Sequence, residues 1–292
     1  MTGGTHRSSR THAGGHEGAK SSPGAGGLAS EVELFWRRGY QVFSRALDVP
    51  LLASVRHLLE AHVDRQLASA AEEMGLHGTD DFVSQLAGSM RTQGPGIDAL
   101  SKETRDTLSG HFSLEARLDP RLWDIPRQPR LRAILHAALR SDDLYMHMPP
   151  TARFVLPGNV HAAVPPHQDI SYNRHMSDFV TLWVPLVEID DTCGGVVVYE
   201  GSGAAPETRT GTDRDRFWLK GIPVDGYKPV HCKIGIGDVL LLNKWIIHAS
   251  MPNRSSRTRF SIDFRFFGER DRSHKHYLDM QTWTVISPGE PP

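Results

Sequence analysis

The residues that could do chemistry together begin at Pro165-Pro166-His167-Gln168-Asp169. In an extended segment, residues i and i+2 project to the same face. The His167 imidazole and the Asp169 carboxylate can therefore converge as two ligands of a metal bound through nitrogen and oxygen. A surface ion pair has the same sequence form, and a chain with 16 histidines can show one His-x-Asp by chance. A third piece lies 81 residues on, where the run Val239-Leu240-Leu241-Leu242-Asn243 leads through Trp245-Ile246-Ile247 to His248 and Ser250. That histidine is either a ligand or a hydrogen-bonded core residue. Two imidazoles and one carboxylate on one face leave about three of six coordination positions open, an arrangement suited to Fe(II) that must bind a co-substrate and O2 together.

Arg259 follows His248 by eleven residues and opens Arg259-Phe260-Ser261-Ile262-Asp263-Phe264-Arg265-Phe266, which alternates strictly. Phe260, Ile262, Phe264 and Phe266 share one face of the strand; Arg259, Ser261, Asp263 and Arg265 share the other. The polar face meets either solvent or the interior of a ligand-holding barrel. In the second case the Arg259 guanidinium offers a bidentate fork for the distal carboxylate of an oxoacid.

The order His167-x-Asp169, His248-x-Ser250, Asn253, Ser255 and Arg259 resembles the phytanoyl-CoA dioxygenase family. The resemblance runs from about residue 36 to 270 and opens with Trp36-Arg37-Arg38-Gly39-Tyr40-Gln41-Val42-Phe43, similar to the family's first strand after a short helix. It implies a double-stranded β-helix (jelly roll, cupin-like) and an Fe(II)- and 2-oxoglutarate-dependent dioxygenase using O2. His167, Asp169 and His248 would hold the iron. Arg259 and Ser250 would bind the C5 carboxylate of 2-oxoglutarate, with Gln168 and Trp183 beside the cofactor. Cys193-Gly194-Gly195 and Tyr199-Glu200-Gly201-Ser202-Gly203 resemble the family's Gly-rich stretch, with Glu200 and Gly203 replacing its usual Pro and His. Halogenating relatives carry Gly or Ala where this chain has Asp169, so the resemblance implies C–H oxidation, chiefly hydroxylation, in preference to chlorination. Arg153, Tyr172 and Asn173 are candidate substrate contacts, while His161 and His175 read as loop histidines flanking the triad. The rivals are a metal-containing jelly-roll binding protein without turnover and a cupin-like isomerase or hydrolase using another divalent metal.

The elements that must position these residues change character along the chain. Residues 1–30 hold eight Gly and almost nothing apolar, the composition of a disordered tail. Residues 31–292 read as one domain. Its helical layer, 31–141, includes a helix over 46–75 with Asp48 as cap and Pro50 in the first turn. Further helical patterns lie at 81–91 and 128–140. Strand runs separated by turn residues at 143–147, 151–156, 178–188, 195–200, 228–234, 238–243, 245–250 and 259–267 predict an antiparallel jelly-roll core over 142–270. Residues 271–292 are a C-terminal extension. The fold class is mainly β with an N-terminal helical layer (α+β).

Composition narrows the partners. Lys and Arg number 33 against 34 Asp and Glu, a net charge of −1, which gives no electrostatic case for nucleic acid or an anionic membrane. No run of about 18 apolar residues occurs, so no membrane-spanning helix is expected, and residues 1–30 lack the apolar core a secretory leader needs, so none is expected. Only two cysteines, Cys193 and Cys232, fit a reducing, cytoplasmic compartment. The expected partner is a small molecule; the Ala-, Gly- and Arg-rich composition points to bacterial natural-product tailoring. Oligomeric state is not legible.

Overall fold

A computed structural model describes residues 1, 25–76, 99–159, 162–208, 221–271 and 273–287. The expected helix over 81–91 and His161 lie outside the described residues, as do positions 2–24 of the expected tail. Residues 25–30, expected within that tail, instead open helix α1 (Ala25–Arg38). The helix exists because Val32 and Phe35 bury against the core, which the Gly-rich start of the segment obscures in the sequence.

The helical layer continues with α2 (Val49–Glu73), α3 (Lys102–Leu108), α4 (Leu114–Arg117) and α5 (Pro129–Leu139). Asp48 caps α2 as expected, its carboxylate accepting from Leu51 N, with Pro50 in the first turn. Leu52, Val55, Leu59, Val63 and Leu67 form the buried stripe of α2.

The strands are β1 (Tyr40–Phe43), β2 (Leu144–His147), β3 (Thr151–Val155), β4 (Phe179–Pro185), β5 (Gly195–Glu200), β6 (Lys228–Cys232), β7 (Val239–Asn243), β8 (His248–Met251), β9 (Arg259–Gly268), β10 (Tyr277–Asp279) and β11 (Thr284–Ile286). They form two antiparallel sheets. The larger has the order β1-β7-β4-β9-β2-β10-β11, with β3 pairing the first half of β9; the smaller has the order β6-β5-β8. This is the expected jelly-roll class.

Three boundaries differ from the sequence expectation. β1 lies inside the span expected as a helical layer, where the resemblance implied a first strand after a short helix, and it pairs β7. β10 and β11 belong to the expected extension yet continue the large sheet from β2. Strands of three or four residues are too short to show a period-2 pattern. The run 245–250 splits because the Asn243 side chain accepts from Trp245 N and Ile246 N, forming a turn that delays β8 until His248.

β4 is an interior strand of the large sheet: all seven residues are buried and it pairs both β7 and β9. Gly194 lets the chain enter β5 at φ +83°; a Cβ there would sit 2.8 Å from the Met251 carbonyl on β8.

Candidate active site

His167 and His248 are brought together by the backbone itself. His167 N donates to His248 O, and His248 N to His167 O, both at 3.0 Å. This isolated antiparallel bridge closes an 81-residue separation and sets the rings 4.3 Å apart, centroid to centroid. Each ring is oriented from its Nδ1 side, 2.8 Å from Pro165 O in His167 and 3.1 Å from Ile246 O in His248. A carbonyl only accepts, so Nδ1 carries the proton and Nε2 presents its lone pair. Both Nε2 atoms face Asp169: His167 Nε2 lies 3.8 Å from Oδ1, and His248 Nε2 lies 3.9 Å from Oδ2. The three ligand atoms all fall within 4.8 Å of one another, and all three residues are buried.

Asp169 starts a one-turn 3-10 segment, Asp169–Ser171. Its Oδ2 accepts from the Thr181 hydroxyl on β4, and its Oδ1 lies 3.4 Å from Arg265 on β9. Burial works to raise the Asp169 pKa. The Arg265 guanidinium, the two imidazoles and the Thr181 hydrogen bond outweigh it and hold the carboxyl below its ordinary range. Burial, with His248 second, pushes His167 down to about 3. At neutral pH the site therefore holds a neutral His167 and a carboxylate, the protonation states a divalent metal needs. The donor set fits Fe(II) in the 2-His-1-carboxylate arrangement.

The triad lines a cavity of about 290 Å³ between the two sheets. Arg259, Asp263 and Arg265 line it from β9, so the polar face of that strand is interior, and the Phe residues of the other face pack in the core. Arg259 is 1% exposed, the largest fully buried side chain. Its Nε and Nη1 find no hydrogen-bond acceptor among the described residues. Burial and the neighbouring Arg153 lower its pKa to about 10, which leaves it cationic at neutral pH. A buried guanidinium with unsatisfied donors calls for an anionic ligand, and the fit to a carboxylate is direct. Arg257, two residues earlier, is instead exposed and pairs with Asp190 and the Glu188 carbonyl.

Ser250 and Trp183 line the same cavity from β8 and β4. Arg153, Tyr172 and Asn173 line it as well. Arg153 is buried and donates to Ser109 O and Ala162 O, beside His111 Nε2 at 2.9 Å. The Asn173 amide donates to Asp169 O at 2.8 Å and so braces the ligand's own backbone.

Gln168 is the one expected cofactor residue that the structure does not bring to the cavity. As the residue between two same-face ligands it points the other way. Its amide donates to Trp245 O and accepts from Thr208 N, tying the loops before β8 and after β5 together. Thr181, Arg117, His111 and His147 were not among the sequence candidates and all line the cavity. Thr181 is the Asp169 partner; one signal for it exists, since it shares a face with Trp183 on β4 at spacing two. His147 stands against His175, Nδ1 to Nε2 3.3 Å, so His175 contacts another histidine away from the triad. Ser202 was quoted only for its loop, yet its hydroxyl accepts from Ile247 N and holds the approach to His248.

The sequence profile of the phytanoyl-CoA dioxygenase (PhyH) family matches residues 37–261. The chain belongs to that family. Among characterised relatives, 1-deoxypentalenic acid 11-beta-hydroxylase of Streptomyces exfoliatus is 30% identical over 130 residues, 41% of this chain and 45% of the relative. The corresponding hydroxylase of Streptomyces arenae matches to the same extent, so the match spans under half the length of either family member. Among solved structures, EvdO2 from Micromonospora carbonacea var. aurantiaca, complexed with 2-oxoglutarate, superposes with a TM-score of 0.56 at 17% identity. That superposition covers 90% of this chain and 94% of EvdO2. The alpha-ketoglutarate-dependent epimerase SnoN from nogalamycin biosynthesis gives a TM-score of 0.51 at 16% identity over 85% of each chain. These likenesses establish the family fold. Among the described residues no helix is long and apolar enough to cross a membrane.

Proposed function

We propose that this chain is an Fe(II)- and 2-oxoglutarate-dependent dioxygenase that hydroxylates a C–H bond of a small molecule in bacterial secondary metabolism. The observation that carries the reading is the joint presence, in one buried cavity, of the His167–Asp169–His248 donor set and the unsatisfied Arg259 guanidinium. A metal-binding protein without turnover needs the first but has no use for the second.

His167 and His248 would offer Nε2 and Asp169 a carboxylate oxygen to the iron. When bound, iron, O2 and 2-oxoglutarate supply C–H oxidation coupled to decarboxylation to succinate and CO2. The chain's own part is positioning and exclusion of water. Arg259 pairs with the C5 carboxylate of 2-oxoglutarate, and the Ser250 hydroxyl donates to the same group. Trp183, Val196, Leu242 and Ala249 form apolar wall around these polar groups, and Tyr172 and Asn173 line the same cavity as candidate substrate contacts. Asp169 retains its carboxylate and so occupies the position that a chlorinating enzyme leaves for halide. The Streptomyces relatives, named for hydroxylation of 1-deoxypentalenic acid, and the structural neighbour SnoN from nogalamycin biosynthesis support a natural-product substrate. Two buried free cysteines support a cytoplasmic location.

The test is stoichiometric. Anaerobic reconstitution is expected to load one Fe(II) per chain, and O2 is expected to convert 2-oxoglutarate to succinate in proportion to bound iron. Succinate release supported equally by Zn(II), or absent with iron, would overturn the reading.

A further inference from the structure

We propose that the substrate enters the cavity as a carboxylate anion gripped by Arg117, an inference that rests on the oxygenase reading above. Arg117 ends α4 and lines the cavity. Its Nε donates to Pro150 O at 2.8 Å, which fixes the plane of the guanidinium. Its two terminal nitrogens have no hydrogen bond or ion pair to any described residue. Of the other cavity arginines, Arg259 has unpaired donors but is taken by the co-substrate in this reading, while Arg153 and Arg265 are held through their terminal nitrogens. Arg153 is held by the Ser109 and Ala162 carbonyls, and Arg265 spans Asp169 and Thr151.

Arg117 also lies at the opposite end of the cavity from Arg259. It is anchored on Pro150, next to Thr151, which pairs Asp263; Arg259 pairs Val155 at the far end of β3. Four residues of strand separate these pairs, roughly 13 Å. One 2-oxoglutarate held by Arg259 leaves Arg117 for a second molecule.

Charge points to the same conclusion. The described cavity residues include four arginines (Arg117, Arg153, Arg259 and Arg265) against two carboxylates, Asp169 and Asp263. The difference, 4 − 2, is a surplus of two positive charges. A divalent iron and a dicarboxylate co-substrate cancel each other and leave that surplus in place. Unbalanced buried charge is costly, and a carboxylate against the Arg117 fork relieves it in the geometry guanidinium prefers. A neutral ester or amide of the same skeleton does not.

The protein is first loaded anaerobically with Fe(II) and 2-oxoglutarate, with loading read by iron analysis and calorimetry. Failure at this stage overturns the oxygenase reading, and is seen before any acid is added. Loaded protein is then titrated with cyclic and terpenoid monocarboxylic acids, each beside its methyl ester and primary amide, reading melting temperature and heat of binding. At least one acid is expected to bind about tenfold or more tightly than its neutral partners, the scale of a charge-assisted pair. Arg117→Gln is expected to abolish that preference while 2-oxoglutarate affinity stays at the wild-type value; Arg117→Lys restores part of it. Equal binding of acid and amide by the wild-type protein overturns the proposal without recourse to a variant. So does a panel in which no acid binds, or an Arg117→Gln protein that still prefers the acid.

Discussion

A histidine ligates through a lone pair, so the carbonyls that take the Nδ1 protons matter as much as the rings. Pro165 O and Ile246 O set both imidazoles to present Nε2. His167→Ala and His248→Ala are each expected to reduce iron stoichiometry to a small fraction of the wild-type value, measured by metal analysis after desalting. Thr181→Val removes the hydroxyl that steadies Asp169 Oδ2; partners of this kind are worth ~10–100-fold in metal affinity, read by competition with a chelator. Arg259→Ala is expected to raise the 2-oxoglutarate dissociation constant by roughly ten- to 150-fold, as a charge-assisted pair of ~1.5–3 kcal/mol requires, with iron binding intact. Arg257→Ala, outside the cavity, is expected to leave that constant unchanged. The triad and Arg259 were legible through the family resemblance; spacing alone left His167 and Asp169 open to a surface ion pair and Arg259 to a solvent-facing strand face. Gln168 was misread because family likeness outweighed its odd register. Thr181 and Arg117 were harder to find because they belong to no motif and meet Asp169 and Pro150 O only through tertiary packing.

Strand β9 carries both Arg259, the proposed 2-oxoglutarate anchor, and the Asp169 partner Arg265, so its register governs the site. Asn253 fixes where it begins. The Asn253 amide donates to Val155 O and Arg257 O, while its oxygen accepts from Ser255 N and the Ser255 hydroxyl. Asn253 is 1% exposed. Asn253→Ala leaves these buried groups unpaired, a loss of ~1–3 kcal/mol measurable by urea denaturation. It is also expected to raise the 2-oxoglutarate requirement more than it lowers iron content, because the disturbed turn leads directly into Arg259. The long strands were readable from alternation and turn residues. β1 was legible only through the family resemblance at residues 36–43, and β10 and β11 were not, since three residues gain their strand character from the neighbour they pair with, not from their own pattern.

Across the whole molecule, burial has pushed several histidines toward the neutral form. His147 is brought down to about 3 by burial, then by His175; His175 is brought down to about 4 by burial, then by Lys275. Burial also lowers His62 and His111. A folded-state pKa below the unfolded value of about 6.5 means the associated stability is complete above that pH. It is lost as pH falls from there toward 4 and 3. The melting temperature of metal-free protein is expected to drop steadily from pH 7 to pH 4.5, and His147→Gln or His175→Gln is expected to flatten the profile. A flat wild-type profile would contradict neutral buried histidines. Fold class was legible at this scale because many short strands follow a helical half, whereas the contribution of residues 277–286 to the large sheet depends on a docking partner, β2, about 130 residues earlier.

The most direct test of the central claim is succinate formation from 2-oxoglutarate, followed against iron content in the wild-type, His167→Ala and Arg259→Ala proteins under O2. The expected result is iron-proportional succinate in the wild type and none in His167→Ala. Arg259→Ala is expected to recover activity only at roughly ten- to 150-fold higher 2-oxoglutarate. Succinate formation that persists in His167→Ala, or a 2-oxoglutarate requirement unchanged in Arg259→Ala, would contradict it.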